Sequence, residues 1–156
     1  MKRRKLTARN ADINRLYEES VQCTEFEVSF INKLFKRYNK TKCKSLREDF
    51  CASALISSEW VRDNKDNIAI AVDLDRTMIK EAKKTALSRL NSEQQKRIKI
   101  CYGDSSKYNT DKVDCILATN FSYFVFKQRK KLIDYFKHAY KQLKNRGIFM
   151  LDAFGG

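Results

Sequence analysis

The stretch Leu46-Arg47-Glu48-Asp49-Phe50-Cys51-Ala52-Ser53-Ala54, answered downstream by Ala71-Val72-Asp73-Leu74-Asp75, most constrains what this chain can fold into. The first half reads as a short strand that breaks into a turn of small residues and then opens a helix. The second ends an apolar strand, Ile68 to Val72, on an acid roughly 20 residues beyond the turn, the spacing of a nucleoside-binding βαβ unit. A helix N-terminus at such a turn offers free N–H groups, and a carboxylate on the next strand can take two ribose hydroxyls.

Periodicity extends this unit in both directions. Ile13, Leu16, Tyr17 and Val21 fall on one helical face, and Phe30, Ile31, Leu34, Phe35 and Tyr38 on another, so two helices precede the first strand, Ser45 to Asp49. Leu55, Ile56, Trp60 and Val61 predict a crossover helix ending near Asp63. Asp75 is placed to cap a helix with Met78, Ile79, Ala82, Ala86, Leu87 and Leu90 inward, which Asn91-Ser92-Glu93 interrupts. Ile98 to Tyr102 alternates as a strand does, and Val113 to Ala118 is the near-continuous apolar run of a strand covered on both faces. A helix from Lys127 to Leu143 follows, with Leu132, Ile133, Phe136, Tyr140 and Leu143 on its inner side. Asn145-Arg146-Gly147 is expected to stop it, and Ile148 to Leu151 to form the last strand.

Strands separated by helices imply an α/β fold, a Rossmann-like, doubly wound, mostly parallel sheet with right-handed crossovers. Ligands of such sheets sit outside the carboxyl ends of the strands, near the point where strand order reverses. The distinctive residues all fall there: 50–54 after the first strand, Asp73 at the end of the second, Gly103-Asp104 after the third and Asn120-Phe121 after the fourth.

The wording of these segments adds to their pattern. Leu46–Ala54 resembles the first motif, LREDFCGTA, of a bacterial family of class I S-adenosylmethionine-dependent methyltransferases. The resemblance takes in Ala71–Asp75, Tyr102-Gly103-Asp104-Ser105, Asn120-Phe121-Ser122-Tyr123 and the closing Leu151-Asp152-Ala153-Phe154-Gly155-Gly156. Upstream, Val21-Gln22-Cys23-Thr24-Glu25-Phe26-Glu27 is similar to that family's leading helical segment. It implies the strand order 3-2-1-4-5 and S-adenosyl-L-methionine as cofactor, with Glu48, Phe50, Cys51, Ala52, Asp73, Leu74, Asp104, Ser105, Asn120 and Phe121 around it. Asp73 would hold the ribose hydroxyls. Asp104 would accept from the adenine amino group while the Ser105 backbone addresses the ring. Glu48 stands where the family has its first-motif acid, near the methionine end of the cofactor. Strand alternation leaves open whether Glu48 or the Arg47 and Asp49 side meets the ligand. Asn120 and Tyr123 are the candidates for substrate contact, as remnants of the Asn-Pro-Pro-Tyr motif of amino-group methyltransferases.

Two departures stand out. The superfamily's glycine-rich turn is here Phe50-Cys51-Ala52-Ser53-Ala54, without glycine, and the LREDFCGTA family keeps a glycine where Ala52 stands. An alanine there costs space and backbone strain of about 1 kcal/mol, so Ala52→Gly is expected to raise cofactor affinity with stability little changed or slightly lower. The chain also ends just past the fifth strand, whereas the resemblance implies a further helix and a closing antiparallel hairpin. The expectation is a truncated methyltransferase domain over residues 11–156 (N-terminal helices 11–41, cofactor-binding core 45–156), with an uncovered edge strand that invites self-association.

Composition bounds the remaining classes. With 156 residues and 42% hydrophobic content the chain is one domain with a core of its own. No apolar run approaches about 18 residues, so no membrane span is expected. Five scattered cysteines form no CxxC pair or Cys/His cluster, so reduced thiols in a cytoplasmic protein are the reading and no metal is expected. His138, the only histidine, falls mid-helix and is read as a surface residue away from the crevice. A net charge of +14 would suit a nucleic-acid partner, and residues 1–10 form a basic arm. The lysines otherwise recur on the polar face of nearly every helix and alternate with acids, as a solvated surface does. The leading reading is therefore a methyltransferase acting on an unidentified acceptor (small molecule, protein or RNA). A non-catalytic nucleic-acid-binding protein on a degenerate methyltransferase scaffold is the alternative.

Overall fold

The computed structural model describes residues 23–153. The expected first helix and the basic arm lie outside them. The described chain runs α1 (Thr24–Asn39), β1 (Ser45–Asp49), α2 (Leu55–Asp63), β2 (Ile68–Asp73), α3 (Arg76–Ser88), the short α4 (Ser92–Gln95) and β3 (Ile98–Tyr102). It continues through β4 (Val113–Ala118), a 3₁₀ turn (Ser122–Val125), α5 (Arg129–Gln142) and β5 (Leu143–Leu151). All five strands pair in parallel in the order β3-β2-β1-β4-β5, as the resemblance implied.

The helices begin and end for identifiable reasons. Asp75 Oδ1 accepts from the N–H groups of Thr77 (2.7 Å) and Met78 (3.2 Å), the expected cap of α3. Asn91 and Gln94 exchange side-chain bonds with each other's backbone N–H, so α4 starts with a capping box where the sequence read an interruption. At the end of α1, Lys40 turns left-handed (φ 56°) and its N–H closes on the Lys36 carbonyl.

Two faces of the sheet are covered unequally. One carries α1, α2 and α3: Val28, Ile31, Phe35, Ile56, Trp60, Val61 and Leu90 pack on Leu46, Ala69, Ile98, Cys115 and Leu117. The other carries α5, whose Tyr135 and Ala139 are fully buried against Ala118, Val113 and Ile116. This corrects the expected inner face of α5, since Ile133 (39% exposed) and Tyr140 (79%) point outward. The cause is Tyr135, whose hydroxyl reaches Asp49 at 2.9 Å inside the sheet and turns the helix to bring its ring in. On α1, Phe30 and Tyr38 likewise lie outside the buried stripe of Val28, Ile31 and Phe35.

The junction of α5 and β5 also differs from expectation. The strand starts at Leu143, directly after the helix, and Asn145-Arg146-Gly147 forms an irregularity inside it between the Val113 and Cys115 registers. Arg146 (φ 62°), not Gly147, takes the left-handed conformation there, and its guanidinium donates to the Tyr38 carbonyl at 2.7 Å.

Candidate functional site

The central strand β1 is polar yet buried over its whole length, and its charges explain how the crevice is built. Arg47 and Asp49 share one face of β1. Both are solvent-free, with Arg47 Nε donating to Asp49 Oδ1 at 2.7 Å and the Tyr135 hydroxyl donating to Asp49 Oδ2. The remaining guanidinium nitrogens reach the loop after β3, donating to the carbonyls of Ser105 and Tyr108 at 2.8 Å each. That loop is therefore tied across the sheet to β1, and the Phe50 N–H completes the link to Ser105 Oγ at 3.3 Å. Gly103 serves the same closure, because a Cβ there would collide with the Tyr108 ring. Burial pushes the Asp49 carboxyl up against the opposing pull of Arg47 and its two hydrogen bonds. His138, half-buried rather than free on the surface, bonds the Tyr108 carbonyl through Nε2 at 3.0 Å.

Glu48 faces the opposite side. Its Oε2 accepts from Ser57 N–H (2.9 Å) and the Ser57 hydroxyl, so it caps the first turn of α2 from within the core. Burial raises its pKa to about 7. Neither side of β1 offers a free charge to the crevice; Arg47, Glu48 and Asp49 all shape it from beneath.

The turn itself is left-handed at every second residue: Phe50 (φ 56°), Ala52 (φ 44°) and Ala54 (φ 55°). Glycine takes this conformation without the Cβ clash that costs other residues about 1–2 kcal/mol. The chain keeps the shape of a glycine-rich turn without its glycines. The side chains of Phe50 and Cys51 leave the turn on the protein side, whereas Ala52 is only half-buried. Phe50 packs edge-on against Phe126 and Tyr135, and Cys51 is buried with Ala71, Ile79 and Ala82. Burial drives the Cys51 thiol far above its ordinary range, which removes it as a nucleophile.

Asp73 ties the turn to β2. Its Oδ2 accepts from Ala52 N–H and its Oδ1 from Asp75 N–H, both at 2.8 Å. Each oxygen retains a second acceptor position, so the carboxylate is oriented and still able to take two hydroxyls. Leu74, the next residue, is 62% exposed at the rim. Beyond it Arg76 stacks its guanidinium over the Tyr102 ring at 4.6 Å, a pair not foreseen from the sequence. Asp104 Oδ1 accepts from Ser106 N–H (2.9 Å) and its hydroxyl (2.7 Å). Its Oδ2 has Lys107 at 3.9 Å, too far for a hydrogen bond.

After β4, Asn120 (φ 57°) and Phe121 (φ 55°) are consecutive left-handed residues, and both N–H groups point at the Asp152 carboxylate at 2.7 and 2.9 Å. Such an amide nest is an anion receptor, here filled by the protein's own side chain. Asp152 was quoted in the closing motif but given no role; its position just past a strand end, like that of Asp73, was the available signal. The Tyr123 side chain turns inward. It is buried in the aromatic cluster, 4.7 Å from the Phe124 ring and 6.1 Å from Phe136. The structure thus brings the turn 50–54, Asp73, Leu74, Asp104, Ser105, Asn120 and Phe121 to the carboxyl ends of four strands, with the side chains of Cys51, Ala54 and Ser105 buried beneath the surface there, and it withdraws the Glu48 and Tyr123 side chains into the core.

No family model and no curated protein matches the chain. Solved structures do. An S-adenosylmethionine-dependent methyltransferase from Clostridium acetobutylicum superposes with a TM-score of 0.73 at 21% identity, covering 88% of this chain and 55% of its own. CalS10, an amino pentose methyltransferase from Micromonospora echinaspora solved with S-adenosylmethionine bound, gives 0.74 at 10% identity, over 99% and 59%. DesVI of Streptomyces venezuelae gives 0.74 at 15% identity, over 97% and 59%.

The chain has the class I methyltransferase fold. It spans little more than half the length of the structures it matches. Among the described residues no helix is long and apolar enough to cross a membrane, and no three His, Cys, Asp or Glu side chains group as metal ligands.

Proposed function

We propose that this chain forms the cofactor-binding part of an S-adenosylmethionine-dependent methyltransferase. The observation that carries the reading is the bond between Ala52 N–H and Asp73, which joins a left-handed, glycine-like turn to an acid at the end of the neighbouring strand. The residues present fit the cofactor in chemistry. Asp73 has acceptor positions left for the two ribose hydroxyls, Asp104 has a carboxylate oxygen free of close partners for the adenine amine, and Leu74 offers an exposed apolar side chain. Ser105 is fixed by Arg47 and Phe50, so the loop that would border the base is held in place before the ligand arrives.

Bound there, S-adenosylmethionine would supply an already activated methyl group on a sulfonium. The chain's own work is then orientation, since in-line approach can supply most of the rate. Asp152 freezes the backbone of Asn120 and Phe121 beside the reacting end, and Asn120 remains the candidate for touching the acceptor. No obligatory acid or base is required of the residues around it. The neighbours named above include an amino pentose methyltransferase, and an amino-bearing acceptor is the class we favour here.

Calorimetric titration with S-adenosylhomocysteine tests the reading. Saturable binding that weakens by about tenfold or more in Asp73→Ala is expected, the scale of a lost charged hydrogen-bond pair. Absence of binding to the full-length gene product refutes it. Nucleic-acid affinity falling steeply with salt, without cofactor binding, would favour the non-catalytic alternative.

A further inference from the structure

Among the described residues two buried side-chain polar atoms have no hydrogen-bond partner, Glu27 Oε2 and Asn39 Nδ2. They sit at opposite ends of α1. The helix runs against the strands. Its last turn receives Arg146 from the start of β5 on the Tyr38 carbonyl, so its first turn, with Glu27, lies at the carboxyl ends where the crevice is. Val28, Ile31 and Phe35 anchor it there on the face carrying Leu117 and Met150. Glu27 is thus held in position by its neighbours, while its own carboxylate is left incomplete.

We propose that Glu27 receives the ammonium group of the cofactor's methionine moiety. The inference rests on the reading of the crevice as an S-adenosylmethionine site. Asp73 and Asp104 assign the ribose and base to the β2–β3 side, which leaves the amino-acid arm for the β1–β4–β5 side. Glu27 belongs to that side, because the Asp152 carboxylate at the end of β5 and the Glu48 carboxylate on β1 both lie within its electrostatic reach. Three carboxylates from three elements converge there in a chain of net charge +14, and no lysine or arginine of the described residues pairs with Glu27. Glu48 and Asp152 each have their hydrogen bonds, from Ser57 and from Asn120 and Phe121. Of the three, Glu27 is the one with a fully buried oxygen that no donor meets.

A buried acceptor without a donor is costly, and more so when charged. An ammonium group carries three donors and a positive charge, which satisfies both deficits at once. Desolvation, with a smaller push from Asp152, raises the Glu27 pKa to about 7, and no cation of the described residues offsets it.

The test compares two ligands on the full chain by calorimetry. S-adenosylhomocysteine carries the amine; 5′-methylthioadenosine presents the same nucleoside thioether without the amino acid. Glu27→Gln should weaken the first by about tenfold or more and leave the second unchanged, while the ligand-free melting temperature rises. Glu27→Asp, which keeps the charge, should retain more S-adenosylhomocysteine affinity than Glu27→Gln. Equal loss for both ligands, no loss, or a lowered melting temperature in Glu27→Gln would overturn the assignment while leaving the cofactor site standing. Failure of the unaltered chain to bind either nucleoside would remove both readings together.

Discussion

Ala52→Gly separates backbone strain from ligand crowding at the turn. Ala52 sits at φ 44°, where a side chain costs about 1–2 kcal/mol that glycine does not. Glycine also frees the unfolded chain, which removes about 0.4–1 kcal/mol of the gain. Ala52 is only half-buried, so little methyl burial is lost with it, and the net is a stabilisation of about 0.5 kcal/mol. For a domain of this size that corresponds to a rise of roughly 1–2 °C in melting temperature. The sign differs from the sequence-based expectation of a neutral or slightly negative effect. Ala54→Gly is the internal control. Its φ of 55° gives the same backbone gain, but its methyl is fully buried in the cluster with Cys51, Ala71, Ile79 and Ala82, and losing about 0.8 kcal/mol of burial cancels the benefit. Calorimetric melting of both variants, with S-adenosylhomocysteine titration of each, reads out the two effects. Ala52→Gly should melt higher than Ala54→Gly and bind the ligand more tightly than the unaltered chain. A melting temperature below that of the unaltered chain would refute the strain argument; unchanged affinity would mean that the Ala52 methyl does not face the ligand.

Three further outcomes follow from the buried charges. Arg47→Met leaves Asp49 without its cation inside the sheet and should cost about 3–5 kcal/mol in urea unfolding, most of it recovered in the double variant Arg47→Met/Asp49→Asn. Additive losses in that double variant would contradict the coupling. Asp152→Ala should cost about 1–3 kcal/mol, speed amide exchange at Asn120 and Phe121, and weaken S-adenosylhomocysteine binding; exchange rates that stay the same would show the nest to be held by other contacts. Glu48 has a folded pKa of about 7, above its unfolded value, so its contribution to stability is complete below pH about 4.5 and fades as pH rises through 7. Urea midpoints should therefore fall between pH 5.5 and 8 by more in the unaltered chain than in Glu48→Gln, and parallel pH profiles would exclude Glu48 as the source.

Periodicity and punctuation were enough to place β2, β3, β4, α2 and α3, because each has a regular apolar pattern and most have a local stop or cap such as Asp75 or Asn91; β1, polar but for Leu46, was legible only from the small-residue turn that follows it and the motif it opens. The convergence of residues 50–54, Asp73, Asp104 and Asn120 at one end of the sheet was legible too, since parallel strands put all their carboxyl ends on the same side. What sequence could not decide was direction and pairing. Glu48 and Asp49 are adjacent carboxylates of identical local preference; only the positions of Ser57 and Tyr135, brought in by two separate helices, send one to cap α2 and the other to meet Arg47. The inner face of α5 was misread for the same reason, because a polar hydroxyl partner deep in the sheet outweighed the apolar stripe that included Ile133 and Tyr140. Asp152 and Glu27 stood in quoted motifs without a role, as an amide nest and an unpaired oxygen exist only between elements distant in sequence. Local pattern determines which elements form and where they stop. Arg47 and Asp49 meet through strand alternation alone, but the remaining partners of the buried charges, Ser57, Tyr135 and the Ser105 and Tyr108 carbonyls, are set by long-range packing, because a desolvated charge must be met wherever the fold brings a partner within reach.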